Sequence, residues 1–449
     1  MAKSKLSQKV LSGNLSPLNR TFFSPVEVTP LAIFRIIFGI LLAWHSFSAL
    51  FSGWVYRNMM LPRFTFSHIG MDWLQPLPGN GMYFYYAVMG IFGLFIAAGF
   101  CYRFGLSIFT ILWAGAYFMQ KTMYNNHYYL LLLVCIIMLF LPANRNYSLD
   151  AKINPVIKTD FMPAWCRDVM ILQIAIVYFF AAVAKLYPGW LDGSYVAIML
   201  AKRSLPFWPG FYQQQWLHYF LAYSGFLFDL LIVPMLLWKR TRLLAFLAAV
   251  LFHTFNNIHL NIGIFPFFAL SFSIFFFPAE TIRKIFLLNR TVCHDFVLFR
   301  HGRRSLYWFF IPYFIVQLAL PVRHYFIKGD VLWTEEGHRL SWRMMLRNRT
   351  GETKFIIRNN ETGKKHTYNV SKLLTKRQIK TMKTRPDMIW QTTQKIKQEY
   401  LRKGENVSIF VDSKVSINRQ PQKVFIDPSV DFTKAEWNYF SHNDWILLY

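Results

Sequence analysis

Long apolar runs follow one another between residues 30 and 320, and they restrict the chain to the fold of a multi-span membrane protein. The first run, residues 31–51, contains a single charged residue, Arg35. A helix of this length crosses a bilayer core of about 30 Å. The whole chain is 54% hydrophobic and only 16% charged, which is rare in soluble proteins. The predicted spans are 31–51, 82–100, 104–120, 126–142, 167–187, 216–238, 243–258, 260–278 and 306–320. This pattern predicts about nine membrane helices, or eight if one run re-enters the membrane without crossing it.

The basic residues are concentrated at the ends of these runs and in the polar C-terminal part. The chain has 49 lysines and arginines against 22 acidic residues, a net charge of +27. Such a charge could indicate nucleic acid binding, but clusters such as 239–242 (KRTR) directly follow a predicted span. Positive residues beside membrane helices mark the cytoplasmic side. We therefore expect contact with the lipid bilayer, no nucleic acid partner, and a cytoplasmic N-terminus.

The composition changes at about Pro321, after which no run is long enough to cross a membrane. Three stretches alternate between polar and apolar residues, as β-strands do: 354–358, 406–412 and 423–427. The spacing over 384–403 is helical. The predicted parts are a cytoplasmic basic tail (1–29), a multi-span membrane domain (30–320) and a β-rich extracytoplasmic domain (321–449). The predicted fold class is thus an α-helical polytopic membrane protein with a C-terminal β-rich domain outside the membrane.

Two ionisable residues stand inside apolar runs. His127 opens the fourth predicted span behind Asn125 and Asn126, and Lys185 lies in the sequence AAVAKLY at the end of the fifth. Ionisable residues in membrane segments are costly to bury and are default candidates for a functional site. A desolvated lysine loses affinity for its proton and can then act as a general base. Spacing alone equally allows both side chains to extend from a helix end to the lipid headgroups.

Two further groups of polar residues are candidates for binding. His253, Asn256 and Asn257 share one face of the seventh predicted helix. No carboxylate accompanies them, and the four cysteines of the chain form no CxxC pair, so we expect no metal site. The segment 320–349 contains paired arginines suited to a carboxylate and a Met-Met pair suited to an apolar ligand. It could equally be a collar of Trp and Arg at the membrane interface.

Several motifs occur in the same order as in a known family. They are WLQPLP (73–78), GFCYR (99–103), YNNHYYL (124–130), KLYPGW (185–190), FHTFN (252–256), IGIF (262–265), WTEEGHRLSWRMM (333–345) and VSINRQPQKVFIDPSVD (415–431). With these motifs the chain resembles the vitamin K-dependent gamma-glutamyl carboxylases, whose membrane part is also called the HTTM domain. The likeness covers nearly the whole chain.

The resemblance implies an enzyme, a carbon-carbon lyase with linked epoxidase activity. Vitamin K hydroquinone is oxygenated to its epoxide while CO2 adds to the γ-carbon of a glutamate in a protein substrate. In this family a neutral lysine deprotonates the hydroquinone, and reaction with O2 then yields the base that removes the glutamate proton. Lys185 matches that lysine, and His127 matches a histidine associated with carboxylation.

The resemblance also suggests binding residues, to which the Met-Met pair and the tryptophans of 320–349 are added. The expected positions for the quinone or CO2 are Asn126, His253, Phe265, Met344 and Met345. The expected positions for the glutamate substrate are His324, Trp333, Trp342, Arg347 and Arg349. The co-substrates would be vitamin K hydroquinone, O2 and CO2, with no metal.

Other interpretations remain open at this point. The compact length and the lack of a signal peptide suggest a bacterial homologue in an inner membrane. Such a protein could epoxidise a quinol without carboxylating a peptide. A non-catalytic transporter or lipid-binding scaffold is a further alternative, although no internal repeat of the transporter kind is visible.

Overall fold

The computed structural model of the protein describes residues 21–201, 203, 208–260, 263–286 and 303–449. Most of the predicted cytoplasmic tail, Ile262 of the IGIF motif and the basic residues 287–302 lie outside these ranges. The described chain is mostly helical up to residue 334 and then contains a four-stranded sheet. This agrees with the helical part and the C-terminal β-rich part predicted from the sequence.

Each predicted span corresponds to a helix. The first six are α1 (Thr29–Phe51), α2 (Gly81–Ala98), α3 (Tyr102–Met119), α4 (Asn126–Phe140), α5 (Trp165–Val183) and α6 (Gln215–Leu237). The next are α7 (Arg242–Leu260), α8 (Phe265–Ser271), which continues as a tighter turn over Phe272–Phe276, and α9 (Ile311–Val322), which follows a π-helical turn over Leu306–Phe310. Short helices lie between them at Leu149–Ile153, Pro188–Leu191, Ser194–Leu200 and Ala279–Ile285. Strands β1 (Pro25–Glu27) and β2 (Phe161–Pro163) pair antiparallel and join the chain before α1 to the chain before α5.

Not all of these helices are long and apolar enough to cross a membrane. Within the described residues five helical segments meet that condition: Thr29–Phe51, Gly81–Ala98, Trp165–Val183, Gln215–Leu237 and Leu306–Phe326. The predicted number of nine spans is therefore not confirmed. Helix α4 has 15 residues, or about 22 Å, against a bilayer core of about 30 Å. Its residues 129–135 are all buried, so α4 is a central helix enclosed by its neighbours.

Helices α1 and α2 approach each other through small residues. A Cβ atom on Gly39 would lie 2.3 Å from the backbone nitrogen of Ala97, and one on Gly93 would lie 2.6 Å from that of Ala43. Glycine is therefore needed at both positions for the two backbones to touch. Small residues serve this purpose widely in membrane helix pairs, where the hydrophobic effect does not hold helices together.

The C-terminal part is an antiparallel sheet with two helices against it. The strands are β3 (Arg349–Asn359), β4 (Lys365–Thr367), β5 (Val407–Ile417) and β6 (Lys423–Ile426), in the order β4-β3-β5-β6. The helices are α10 (Lys376–Met382) and α11 (Pro386–Arg402). Phe355 of β3 faces Val411 of β5, and both side chains are fully buried. The three strands and the long helix predicted from the sequence are confirmed, whereas β4 and α10 were not anticipated.

Buried charges hold this domain against the helical part. Lys121, between α3 and α4, forms a 2.7 Å ion pair with Asp387 at the start of α11, and its side chain is only 2% exposed. Arg339 donates to both oxygens of Asp387, at 3.0 and 3.2 Å. Gln391 also donates to the backbone oxygen of Ser67 in the loop between α1 and α2. The domain is therefore fixed in one position above the ends of the helices.

Candidate active site

Lys185 lies directly after the end of α5 and is almost fully buried. Its ammonium group forms an ion pair with Asp229 in the middle of α6, and both residues are less than 10% exposed. The same nitrogen donates to the backbone oxygen of Ala181 at 3.3 Å and lies 5.2 Å from the centre of the Trp190 ring. The side chain is thus held inside the protein and does not extend to the lipid headgroups.

His127 and His253 both contact the ring of Phe265. The ring of His127 stacks on Phe265 with centroids 3.6 Å apart, and the ring of His253 meets Phe265 edge-on at 5.8 Å. Asn125 caps α4 by accepting the backbone N–H of His127 at 2.8 Å. Within the described residues the Nδ1 atoms of both histidines have no hydrogen-bond partner. Two imidazole nitrogens are therefore available to a ligand beside an aromatic ring.

His253 also lines a small apolar cavity between four helices. Its Nε2 atom is hydrogen-bonded to the Tyr178 hydroxyl at 2.9 Å. The cavity has a volume of about 10 Å³, and Phe272 and Phe276 form part of its wall. That is room for about one water-sized molecule. It is too small for a quinone ring.

Asn126 connects the buried start of α4 to the segment before β3. Its side-chain nitrogen donates to the backbone oxygen of Arg343 at 3.1 Å, and its oxygen accepts from the Tyr124 hydroxyl at 2.8 Å. The Tyr124 hydroxyl in turn accepts the backbone N–H of Leu340 at 2.6 Å. Asn126 is 6% exposed, so these contacts lie inside the protein. The segment that follows α9 is thereby fixed beside His127.

The same segment reaches the neighbourhood of Lys185. The Tyr187 hydroxyl donates to the backbone oxygen of Leu346. Leu346 is 1% exposed and packs in one apolar cluster with Ala184 and Trp190, which flank Lys185. Residues 340–346 therefore run from the His127 end of the site to the Lys185 end.

Three of the predicted ligand-binding residues lie along this segment. Trp342 is fully buried and stacks on Tyr129 of α4 with centroids 5.0 Å apart. Met344 packs against the main core of the helical part. Met345, by contrast, is 43% exposed. The structure thus packs Trp342 against α4 and Met344 against the helical core, and it leaves the Met345 side chain largely exposed.

The predicted carboxylate-binding arginines already hold a carboxylate of this chain. Arg347 donates from Nε to Glu335 at 2.6 Å, Arg349 lies 3.5 Å from the same oxygen, and Arg385 contacts the other oxygen. Burial lowers the pKa of Arg347 to about 10 and that of Arg349 well below its ordinary value. Burial and the nearby arginines hold the pKa of His338 low as well, so its neutral ring can accept from Arg347 at 3.2 Å.

Two predicted substrate residues, Trp333 and Arg349, donate hydrogen bonds to backbone oxygens of the C-terminal part. The Trp333 indole N–H donates to the backbone oxygen of Leu447 at 2.6 Å. One nitrogen of Arg349 donates at 2.7 Å to the backbone oxygens of both Leu332 and Trp333. His324 lies nearer the site, since its Nε2 atom is 3.4 Å from Arg343. Trp333 therefore supports the site from outside it, whereas Arg349 contacts both Glu335 and the backbone of residues 332–333.

Sequence reasoning missed three residues that the structure places at the site. Asp229 is the carboxylate paired with Lys185, and Glu335 and Arg385 complete the arginine cluster. A lone carboxylate in the sixth predicted span was a visible signal for Asp229, because charges inside membrane helices are rare. No comparable signal distinguished Glu335 or Arg385. Among the described residues, no group of three or more histidine, cysteine, aspartate or glutamate side chains could hold a metal ion.

Comparisons with known proteins assign the family. Residues 23–280 match the model of the HTTM domain, and residues 303–449 match that of the vitamin K-dependent gamma-carboxylase lumenal domain. No solved structure matches the chain significantly. The first family match alone covers more than half of the chain, and the apolar helices fit a multi-pass membrane protein. The resemblance stated from the motifs is confirmed, and this chain belongs to the vitamin K-dependent gamma-carboxylase family.

Proposed function

We propose that the protein couples the oxygenation of vitamin K hydroquinone to its epoxide with CO2 addition at the γ-carbon of a protein glutamate. One observation carries the proposal. Residues 340–346 contact Asn126 at the start of α4 and, through Tyr187, pack against the residues that flank Lys185. The two residues expected to serve the two half-reactions thus border one region, beside the domain that would receive the peptide.

The buried surroundings support Lys185 as the group that receives the hydroquinone proton. A reaction of this kind needs a base that does not exchange protons freely with water, and Lys185 is 7% exposed. His127 would serve the carboxylation half, since its ring stacks on Phe265 and its Nδ1 atom is free of partners in the described chain. Bound hydroquinone would supply the oxygen chemistry, and the residues around it would orient it and exclude water.

The group formed by His127, His253 and Phe265 suits the proposed co-substrates. A quinone ring would lie beside the aromatic group formed by His127, His253 and Phe265, and the free nitrogens of the two histidines could bond to its oxygens. Asn126, next to His127, donates to the backbone oxygen of Arg343 and so joins the start of α4 to the segment that contains Trp342. These features support the cofactor positions proposed from the motifs. Of the two methionines, Met344 packs against the helical core, whereas Met345 is 43% exposed.

The remaining parts of the proposal concern the substrate and the membrane. The glutamate would enter from the C-terminal domain, where Arg343 is 8% exposed and has His324 as a neighbour at 3.4 Å. A buried guanidinium of this kind suits a carboxylate. The loop charges favour a cytoplasmic N-terminus, and with the predicted nine spans this domain would lie outside the cytoplasm. A bacterial inner membrane would be its location.

An assay on the purified protein tests the proposal. It supplies vitamin K hydroquinone, O2, labelled bicarbonate and glutamyl peptides, and measures both the epoxide and the labelled peptide. We expect both products from the wild type and neither from Lys185→Ala, while the exposed Lys239→Ala retains both. A well-folded wild type that forms no epoxide would rule the proposal out.

The role of His127 has its own comparison. His127→Ala should reduce carboxylation more than epoxidation, because the imidazole is assigned to the second half of the reaction. His45→Ala is the matched control, since His45 is also a helix-borne histidine and packs edge-on against Tyr128 at 5.1 Å. Equal loss of both products in His127→Ala would contradict the assignment.

A second candidate function is quinol epoxidation without peptide carboxylation, and Glu335 favours it. Its carboxylate occupies Arg347, Arg349 and Arg385, which a substrate glutamate would otherwise meet. The Glu335 backbone has φ = 64°, a left-handed conformation that is uncommon outside glycine. Epoxide without labelled peptide would support this candidate. If Glu335 excludes the substrate, Glu335→Gln should gain carboxylation, whereas the exposed Glu405→Gln should not.

A further inference from the structure

The pairing of Lys185 with Asp229 changes where a proton can be stored. The two side chains come from different helices, 44 positions apart in the chain, and both are buried. Within the described residues neither has another charged partner: Lys185 otherwise donates only to the backbone oxygen of Ala181. The site therefore contains one cation and one anion that compensate each other away from water.

An ammonium group in such an ion pair cannot accept a proton, because its nitrogen has no free electron pair. The group with capacity for a proton is the carboxylate. If the pair takes one proton from the hydroquinone, the final state is an ammonium beside a neutral carboxylic acid. The proton count then requires that Asp229, and not Lys185, holds the additional proton.

We propose that Asp229 is the terminal acceptor of the hydroquinone proton and that Lys185 passes the proton to it. This inference rests on the proposed function. In the first step a proton moves from the Lys185 ammonium to the Asp229 carboxylate, which leaves a neutral amine beside a carboxylic acid. In the second step the amine takes the hydroxyl proton of the hydroquinone and becomes an ammonium again. The hydroquinone oxygen keeps the electron pair of the broken O–H bond, and the ammonium balances its negative charge.

Burial makes the first step feasible. The transfer converts two charged groups into two neutral ones, and desolvation penalises charged forms. The contact between the two side chains gives the proton a direct path, and the Trp190 ring at 5.2 Å shields one side of it. The other titratable side chains on or directly beside the elements packed against α6 are Cys166, Arg167, Asp168, Tyr178, Tyr187, Tyr195, Tyr212, Arg242, His253 and His259. Of these, Tyr178 is subject to the electrostatic effect of the Asp229 carboxylate.

The protonation of Asp229 can be observed directly in the wild type. Vitamin K hydroquinone is added to the full-length protein without oxygen, and the infrared difference spectrum is recorded in the carbonyl region. We expect a new band of a protonated carboxyl group that is absent in Asp229→Asn. Asp168→Asn is the matched control and should keep the band. Asp168 also pairs with a basic residue, Arg167 at 2.7 Å, but at a position that is partly exposed.

Activity gives a second, independent result. Asp229→Asn should lower the rate of epoxidation by about 100-fold or more, the usual range for loss of a general base. Asp229→Glu should recover part of the rate. If Lys185 instead acts alone as a neutral amine, Asp229→Asn keeps its activity, because removing the carboxylate favours the neutral amine.

The outcomes separate this proposal from the proposed function. A wild type that forms epoxide but shows no carboxyl band overturns the role of Asp229 and leaves the function standing. The same holds if folded Asp229→Asn forms epoxide at a rate close to that of the wild type, without the expected loss of about 100-fold. A wild type that forms no epoxide overturns both. Should Asp229→Asn fail to fold, the wild-type spectrum decides the question.

Discussion

The junction between the helical part and the C-terminal domain gives the sharpest prediction of stability. The Asp387 carboxylate accepts a hydrogen bond from Lys121 at 2.7 Å and two from Arg339, at 3.0 and 3.2 Å. The Lys121 side chain is only 2% exposed. Asp387→Asn removes the anion and leaves the lysine buried without it. Breaking a buried pair on one side costs about 3–5 kcal/mol.

The low end of that range applies here. Burial lowers the pKa of Lys121 to about 8, although the Asp387 carboxylate acts to raise it. Without the carboxylate the lysine can release its proton near neutral pH, which limits the cost to about 3 kcal/mol. Since 1.4 kcal/mol is a factor of ten, the equilibrium constant for opening the junction should rise about 100-fold.

Hydrogen exchange followed by mass spectrometry measures this opening. Peptides from Pro386–Arg402 should exchange about 100-fold faster in Asp387→Asn than in the wild type. The control is Glu399→Gln, which removes the exposed partner of Lys403 on the same helix and should change the free energy by less than about 1 kcal/mol. Lys121→Met with Asp387→Leu should restore part of the protection, because the buried lysine charge is removed together with its partner. The recovery is partial because Arg339 still loses its two bonds to Asp387. If Asp387→Asn exchanges like Glu399→Gln, the buried pair does not hold the domains together.

Two more predictions concern the same region. Burial works to raise the pKa of Asp387, but Arg339 and Lys121 outweigh it and hold the pKa well below its ordinary value. The stabilisation from Asp387 is therefore complete above the ordinary aspartate pKa of about 4 and is lost as the pH falls below it. Hydrogen exchange at the junction should accordingly accelerate only below about pH 4. This acceleration at acid pH should be absent in Asp387→Asn. Gly337 has φ = 72° and a Cβ there would lie 2.8 Å from that of His324, so Gly337→Ala should destabilise residues 321–345 by more than the about 1–2 kcal/mol of left-handed strain. Gly363→Ala, at φ = 67° with open space around it, isolates the strain alone; equal exchange effects in the two variants would show that the His324 contact is unimportant.

Local patterns were sufficient to predict most elements of the fold. Apolar runs marked every membrane-region helix, and alternation marked β3, β5 and β6, because helix and strand periodicity is written in neighbouring residues. Whether each helix crosses the membrane could not be predicted in the same way. Helix α4 is apolar because other helices surround it, and a sequence run does not distinguish burial in protein from burial in lipid.

The sequence by itself determined the family, the helical and β-rich parts, and the two ionisable residues on which the proposed chemistry centres. Only the tertiary structure decided their partners. Lys185 meets Asp229 across 44 positions, and Arg347 meets a carboxylate from its own chain, at Glu335. These contacts depend on how helices and loops distant in sequence pack together. The cost of burying a charge explains why such partners must exist, but spacing along the chain cannot identify them.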